Sequence, residues 1–261
     1  MGMMKNTKYN ALVKKVATCV ECDKCTTCQD GEKIILEHHN PRKQINLWSH
    51  WQGSLDADIL LLGQDWGALD AEEVERIENG QTYPSVSDAA ADHKYHNFTD
   101  SKICELFSEA LGINIRLASE RCFFANAILC YKTGNFSSPI SKKWQRNCKQ
   151  HIKELIMTIQ PKTIITLGQA PLNTLRGIGT LTDLNGKELN NSYFKSFVGN
   201  VIFTQKEKAL VFSAETLDNA SFTCTVFPMI HPSPLALRYR KEDEQVNDWK
   251  EVGKFLKENN T

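Results

Sequence analysis

Four short, nearly unbroken apolar runs stand out from the polar background of this chain. They are Ala57-Asp-Ile-Leu-Leu-Leu62, Cys122-Phe-Phe-Ala-Asn126-Ala-Ile-Leu129, Thr163-Ile-Ile-Thr-Leu167 and Thr225-Val-Phe-Pro-Met-Ile230. Continuous runs of this length, each ended by Gly, Pro or a polar turn, predict strands buried on both faces, as parallel strands are. Between them the apolar period lengthens to that of helices. Leu12, Val13 and Val16 share one face of a segment ending at Ala17; Ile103, Leu106, Phe107 and Leu111 do so over 101–111, closed by Gly112. Further helices are predicted over about 141–159, from Pro171 to Leu175, and over Val246 to Leu256, with Trp249, Val252 and Phe255 on one face.

Strands alternating with helices predict a three-layer α/β/α sandwich around a four-stranded, mostly parallel sheet, in one domain spanning 1–261. Two regions depart from that rhythm. Residues 177–224 alternate weakly and predict an antiparallel elaboration before the last strand. Residues 9–56 hold Cys19-Val-Glu-Cys22-Asp-Lys-Cys25-Thr-Thr-Cys28, cysteines at every third position, which reads as a ligand-rich turn rather than a packed element. Residues 70–97 read as a polar surface excursion.

Composition narrows the class. Apolar residues make up 41% and charged residues 24% of 261, ordinary for a soluble globular protein. No apolar run is long enough to span a membrane and residues 1–10 lack the apolar core of a signal peptide, so a cytoplasmic protein is expected. Lys plus Arg equal Asp plus Glu at 31 each, so a phosphate backbone would have to be met by a local basic patch. Nine cysteines are many for such a compartment and cannot all pair, which makes metal or cluster ligation the default. Cys104, Cys122 and Cys224 lie in apolar surroundings and read as core.

Parallel strands deliver their carboxyl ends to one edge, where open α/β sheets bind ligands. Here those ends carry Gly63-Gln64-Asp65-Trp66-Gly67, Asn126 and His231-Pro-Ser233-Pro-Leu235. Taken alone, the last is equally an ordinary strand-to-helix turn with a satisfied histidine. Together, an acid, an amide and an imidazole can share one pocket.

This combination resembles the uracil-DNA glycosylase superfamily. Ala57 to Asp65 is similar to its first motif, Asn126-Ala-Ile-Leu-Cys130 to its uracil-reading strand, Ile164 to Gly168 to its third strand, and Phe227 to Leu235 to its last motif. The cysteines resemble the iron–sulfur, family 4 and 5 branch. That resemblance implies a [4Fe–4S] cluster held by an N-terminal pair, Cys19/Cys22 or Cys25/Cys28, together with Cys130 and Cys148. Four N-terminal thiolates around one zinc are the alternative.

The resemblance further implies that Asp65 orients water and offsets the sugar cation, and that neutral His231 donates to the departing base. Gly63, Gln64, Trp66, Phe98 and Asn126 would contact that base, Phe98 being equally readable as core packing. Leu235 becomes a wedge, and Ser233 and Arg238 contact DNA, with Arg240, Lys241, Lys142 and Lys143 as further candidate phosphate contacts. The expected partner is DNA containing uracil or another altered base, with the protein acting as a monomer and a monofunctional hydrolase that starts base-excision repair. Two departures keep the substrate open. Gly63-Gln-Asp-Trp-Gly67 differs from the branch's Gly-Glu-Gly-Pro-Gly, and the clusterless family 1 enzymes' Pro-Tyr-His, whose tyrosine blocks the thymine methyl, is absent. Trp66 or Tyr83 is a candidate replacement. The alternatives are a glycosylase for another deaminated base and a homologue that binds uracil or single-stranded DNA without turnover.

Overall fold

The computed structural model describes residues 2–22, 25–27, 33–37, 51–65, 68–69, 98–112, 120–133, 142–189, 209–215 and 221–258. Trp66, Cys28 and Tyr83 lie outside them, as do the side chains of Cys25, Phe98 and Leu235.

The four predicted strands form the centre of one sheet. They are β4 (Ile59–Gly63), β6 (Cys122–Asn126), β8 (Thr163–Leu167) and β11 (Ser221–Met229), in the order β6-β4-β8-β11 and parallel throughout. Every residue of β4, β6 and β8 is buried, because each strand has a helical layer on both faces and so carries no polar alternation. On one side Leu60, Leu62, Phe123, Ala125 and Ile164 pack against α1 (Gly2–Ala17), α3 (Lys142–Ile159) and α4 (Gln169–Arg176). On the other, Ile59, Leu61, Phe124, Ile165, Leu167 and Met229 pack against α2 (Phe98–Glu105) and α5 (Glu242–Glu258). No helix among the described residues is long and apolar enough to cross a membrane.

The sheet is wider than the four strands expected. A short β3 (Gln52–Gly53) pairs antiparallel with β6, and β10 (Leu210–Glu215) and β9 (Thr180–Asp183) extend the far edge antiparallel, making seven strands. The antiparallel elaboration therefore joins the main sheet, and β11 begins at Ser221 because its first half is the partner of β10. Among the described residues that pairing stops at Val226 and Pro228 is paired with β8 alone, a setting in which a strand proline is tolerated.

The cysteine-rich segment departs further from expectation. Cys25–Thr27 forms a strand, β1, antiparallel to β2 (Lys33–Glu37), rather than a turn. A second sheet follows in the order β1-β2-β7-β5, where β7 is Tyr131–Thr133 and β5 is Ala68–Leu69. The β-branched pair Thr26-Thr27 suits an extended backbone, which overrides the cysteine spacing.

Helix ends also moved. The second helix starts at Phe98 and its last turn, Leu106–Ala110, is a π turn in which the Leu111 N–H bonds to Leu106 O at 3.3 Å. Gly112 at φ +62° ends it, as the sequence implies. Helix α5 begins at Glu242 rather than Val246, with Glu242, Asp243 and Glu244 in the first turn facing the positive end of the helix dipole.

Candidate active site and thiol cluster

Strand β6 ends at Asn126 instead of running to Leu129, so the amide stands at the carboxyl edge of the sheet rather than inside a strand. It follows Cys122 and Phe124 onto the face covered by α2 and is 7% exposed. Its register partner is Gly63, the last residue of β4. The contact is so close that a Cβ on Gly63 would stand 2.2 Å from Asn126 Oδ1, so any larger residue there would displace the amide. Beyond the strands the pairing continues: Ala127 N–H bonds to Gly63 O at 2.9 Å and Ile128 N–H to Gln64 O at 3.0 Å. The segment Gly63-Gln64-Asp65 is thereby pinned against the base of the β6 loop. Gln64 is exposed and Asp65 half-buried, with its Oδ2 out of solvent contact.

His231 closes the other end of this edge. It sits past β11 and over the end of β8, where Gly168, at φ +87°, passes close enough that an added Cβ would meet His231 Cβ at 3.7 Å. Gly168 N–H bonds to Met229 O at 2.8 Å, tying the two strand ends together. Burial pushes the His231 imidazole below its ordinary value, and the carboxylate of Asp65 works against that shift. His231 is thereby held neutral around pH 7. From Asn126 to His231 the edge spans three strand spacings, about 14 Å, with Asp65 and Gly168 just past the ends of the strands between.

The loop after His231 is rigid for identifiable reasons. Ser233 N–H bonds to His231 O at 2.8 Å, Pro232 is buried, and Pro234 opens a 3-10 turn, Pro234–Arg238. Leu235 lies in the first half of that turn; Ser233 is half-buried and Arg238 exposed. The turn is tied down by Arg240, whose Nε and Nη2 donate to the two carboxylate oxygens of Asp248 at 2.7 and 2.8 Å, with Glu244 as a further partner. Asp248 is 2% exposed. Arg240 is thus committed to an internal fork and is no phosphate contact, a correction to the reading of the basic run. Lys142, Lys143, Arg238 and Lys241 remain on the surface.

Phe98 is the first residue of α2, on the same face of the sheet as Asn126. Lys102, one turn on, is buried; burial alone would depress its ammonium, and the carboxylates of Glu105 and Glu242 more than offset this, holding it above the ordinary lysine value. Glu105 lies at 2.8 Å and Glu242 closer still, so this lysine locks α2 to the start of α5.

A sequence model of the uracil DNA glycosylase superfamily matches residues 50–253, from the threshold of β3 into α5. The chain belongs to that superfamily. Membership brings the general activity of a glycosylase, a hydrolase of N-glycosidic bonds acting in DNA repair, and members of the superfamily act on DNA. No curated protein matches the chain as an individual relative. The superfamily match covers all three strand ends of the candidate site and leaves out the N-terminal cysteines.

Cys19 and Cys22 nonetheless lie near the matched region. None of the cysteines with described side chains is disulfide-bonded. Burial pushes the Cys130 and Cys148 thiols up to about 12; Cys22 and Cys19 add to the shift at both, and Cys130 adds to it at Cys148, where the backbone of Leu129 opposes by hydrogen bonding. Four thiols, Cys19, Cys22, Cys130 and Cys148, therefore share one electrostatic neighbourhood, with Cys22 and Cys130 packed on Ile128 and Trp144. Cys25 is placed differently. It registers with Ile35, which registers with Thr133, two strand spacings across the second sheet and three residues along from Cys130, so its Cα is about 14 Å from that of Cys130.

The superfamily's iron–sulfur branch carries a cluster, and the donor set bears on whether one fits. Among the described residues no group of three or more His, Cys, Asp or Glu is arranged to hold a metal ion. A single zinc asks its sulfurs to lie about 2.3 Å from one point, hence within about 4.6 Å of each other. A four-iron cluster takes four cysteine thiolates and spreads them over four irons, a wider arrangement. In donor type and number the four neighbouring thiols fit the cluster.

Two residues escaped the sequence reading. Gly168 enters the sequence reading only as the end of the third-strand motif, although a glycine between a buried strand and a helix is a signal for a positive φ. Asn147 has no distinguishing sequence context beyond standing next to Cys148.

Proposed function

We propose that this chain excises uracil from DNA by hydrolysing its N-glycosidic bond, so starting base-excision repair. The observation that carries the reading is the convergence of buried Asn126, Asp65 and neutral His231 on one sheet edge in a member of the superfamily. Cleavage leaves negative charge on the departing base and positive charge on the sugar. His231, uncharged and fixed by the prolines and Gly168, donates a hydrogen bond to the base oxygen as charge develops there, stabilisation that is greater in a desolvated site. Asp65 holds the attacking water and offsets the sugar cation. Asn126 presents a donor and an acceptor to the base edge, the pair that uracil requires. Gly63 and Gln64 form the floor, and Trp66 and Phe98 are the candidate base contacts that the family resemblance implies. Leu235, on its rigid turn, enters the stack that the flipped base leaves, and Ser233 and Arg238 meet the flanking phosphates.

Cys19, Cys22, Cys130 and Cys148 hold the [4Fe–4S] cluster in this reading, favoured over the Cys25/Cys28 pair by the electrostatic neighbourhood they share. Through these four residues a bound cluster would tie the end of α1 to α3 and to the β6–β7 connection, a structural role apart from the chemistry. Its presence is checked by colour and iron content: a brown protein with broad absorption near 400 nm supports it, and a colourless zinc protein contradicts it.

The test of substrate is a panel of labelled oligonucleotides carrying uracil, hypoxanthine or xanthine, single- and double-stranded, incubated with holo-protein and treated with alkali. Strand scission at uracil is the expected result. Scission only at another base assigns the same chemistry to a different substrate, and binding without scission at any base contradicts the enzymatic reading.

A further inference from the structure

We infer that Asn147 is a positioning residue for the cluster, orienting Cys22 and donating a hydrogen bond to its ligating sulfur. The inference rests on the cluster reading above and goes beyond it, because it concerns a neutral side chain that is no ligand. Asn147 Nδ2 lies 2.6 Å from Glu21 O and 3.5 Å from Cys22 Sγ. A primary amide nitrogen carries two hydrogens, and here each has an acceptor of its own, on consecutive residues of the thiol-bearing turn. Glu21 O is a carbonyl with no proton to give, which fixes nitrogen rather than oxygen toward the turn.

The placement is economical. Asn147 precedes Cys148 on α3, so a single turn of that helix presents one thiol and, about 100° round, the donor to another. Cys148 in turn receives a backbone hydrogen bond from Leu129, which follows Ile128 toward Cys130. Two thiols of the four thus already have N–H donors, and Cys22 sits against Ile128 and Trp144, 2% and 3% exposed, an apolar floor on which such a bond is strengthened. A thiolate that ligates iron carries negative charge, and hydrogen bonds to sulfur are a main lever by which a protein tunes a cluster. Asn147 therefore does two things: it clamps residues 21–22 onto α3, and it draws charge from one ligand.

The test compares holo wild type with Asn147→Asp, which keeps the shape and loses the donor, and Asn147→Ala. Iron release to a chelator in air, followed at the absorption near 400 nm, should quicken about tenfold or more in both variants. The deuterium sensitivity of the Fe–S(Cys) stretching bands in resonance Raman should shrink, a readout that loss of packing alone does not produce. Variants with wild-type iron release and wild-type deuterium shift overturn the role of Asn147 while leaving the cluster standing. Should Asn147→Ala fail to fold, Asn147→Asp carries the comparison. Wild-type protein that purifies without iron overturns the cluster reading and this inference with it.

Discussion

At the scale of single residues the most telling one is Gly63, which has no side chain and yet sets where Asn126 can be. An alanine there would put Cβ 2.2 Å from Asn126 Oδ1, far inside van der Waals contact, so the amide must move. Gly63→Ala is therefore predicted to cut uracil excision by roughly 100-fold, comparable with losing a positioned group, with the thermal midpoint little changed. Excision rate and melting curve measured side by side check it. His231 gives a pH prediction. Burial lowers its pKa below the ordinary 6.5, against the opposing pull of Asp65, so the proton arrives only at lower pH. The acid limb of single-turnover excision should lie below pH 6.5; a limb above that value contradicts a neutral donor. The sign for stability is the same. The folded protein resists protonating His231 and buried His151 while the unfolded chain takes protons at the ordinary value, so their contribution is full above 6.5 and is lost as pH falls below it.

At the scale of elements, the loop that carries His231 and Leu235 depends on α5. Arg240 and Asp248 form a two-pronged pair with side chains only 10% and 2% exposed, so removing one leaves a buried charge. Asp248→Ala is predicted to cost about 3–5 kcal/mol and to slow excision by loosening the turn. The double variant Arg240→Met with Asp248→Leu should recover much of the stability, since no charge is then left behind; thermal unfolding of the three proteins checks both statements. This pair also shows why part of the site was illegible in the sequence. Arg240 and Lys241 look alike as surface cations, and only the docking of α5 gives one of them a buried partner. The same holds for β1: a cysteine every third residue suggests a turn, and only pairing with β2, itself held by β7, makes Cys25–Thr27 a strand. The four central strands were legible because burial on both faces imposes an apolar run that needs no tertiary information. The antiparallel edge was legible only as weak alternation, because β9 and β10 are half-exposed in part.

At the scale of the whole molecule, a chain with 31 basic and 31 acidic residues has no long-range pull on DNA. Affinity should therefore depend on salt through a few local contacts, with a shallow slope of log Kd against log salt. Arg238→Ala should reduce that slope by about one and weaken all sequences equally; an unchanged slope removes Arg238 from the phosphate contacts. The three-layer order of the fold explains how distant segments meet. Strand β4 brings Asp65 between Asn126 and His231, while α3 and the β6–β7 connection bring Cys148 and Cys130 to the end of α1. Chemistry and thiol cluster thus share strand β6 and its exit, one on the sheet edge and the other just beyond it.

The most direct test of the central claim is the single-turnover rate of uracil release from a uracil-containing oligonucleotide by wild type, Asp65→Asn and His231→Ala, all holo and all folded. Excision by the wild type, with each substitution slowing it by about 10²–10³-fold, is the predicted result. Wild-type release no faster than that of either variant would contradict the assignment of this sheet edge as the active site.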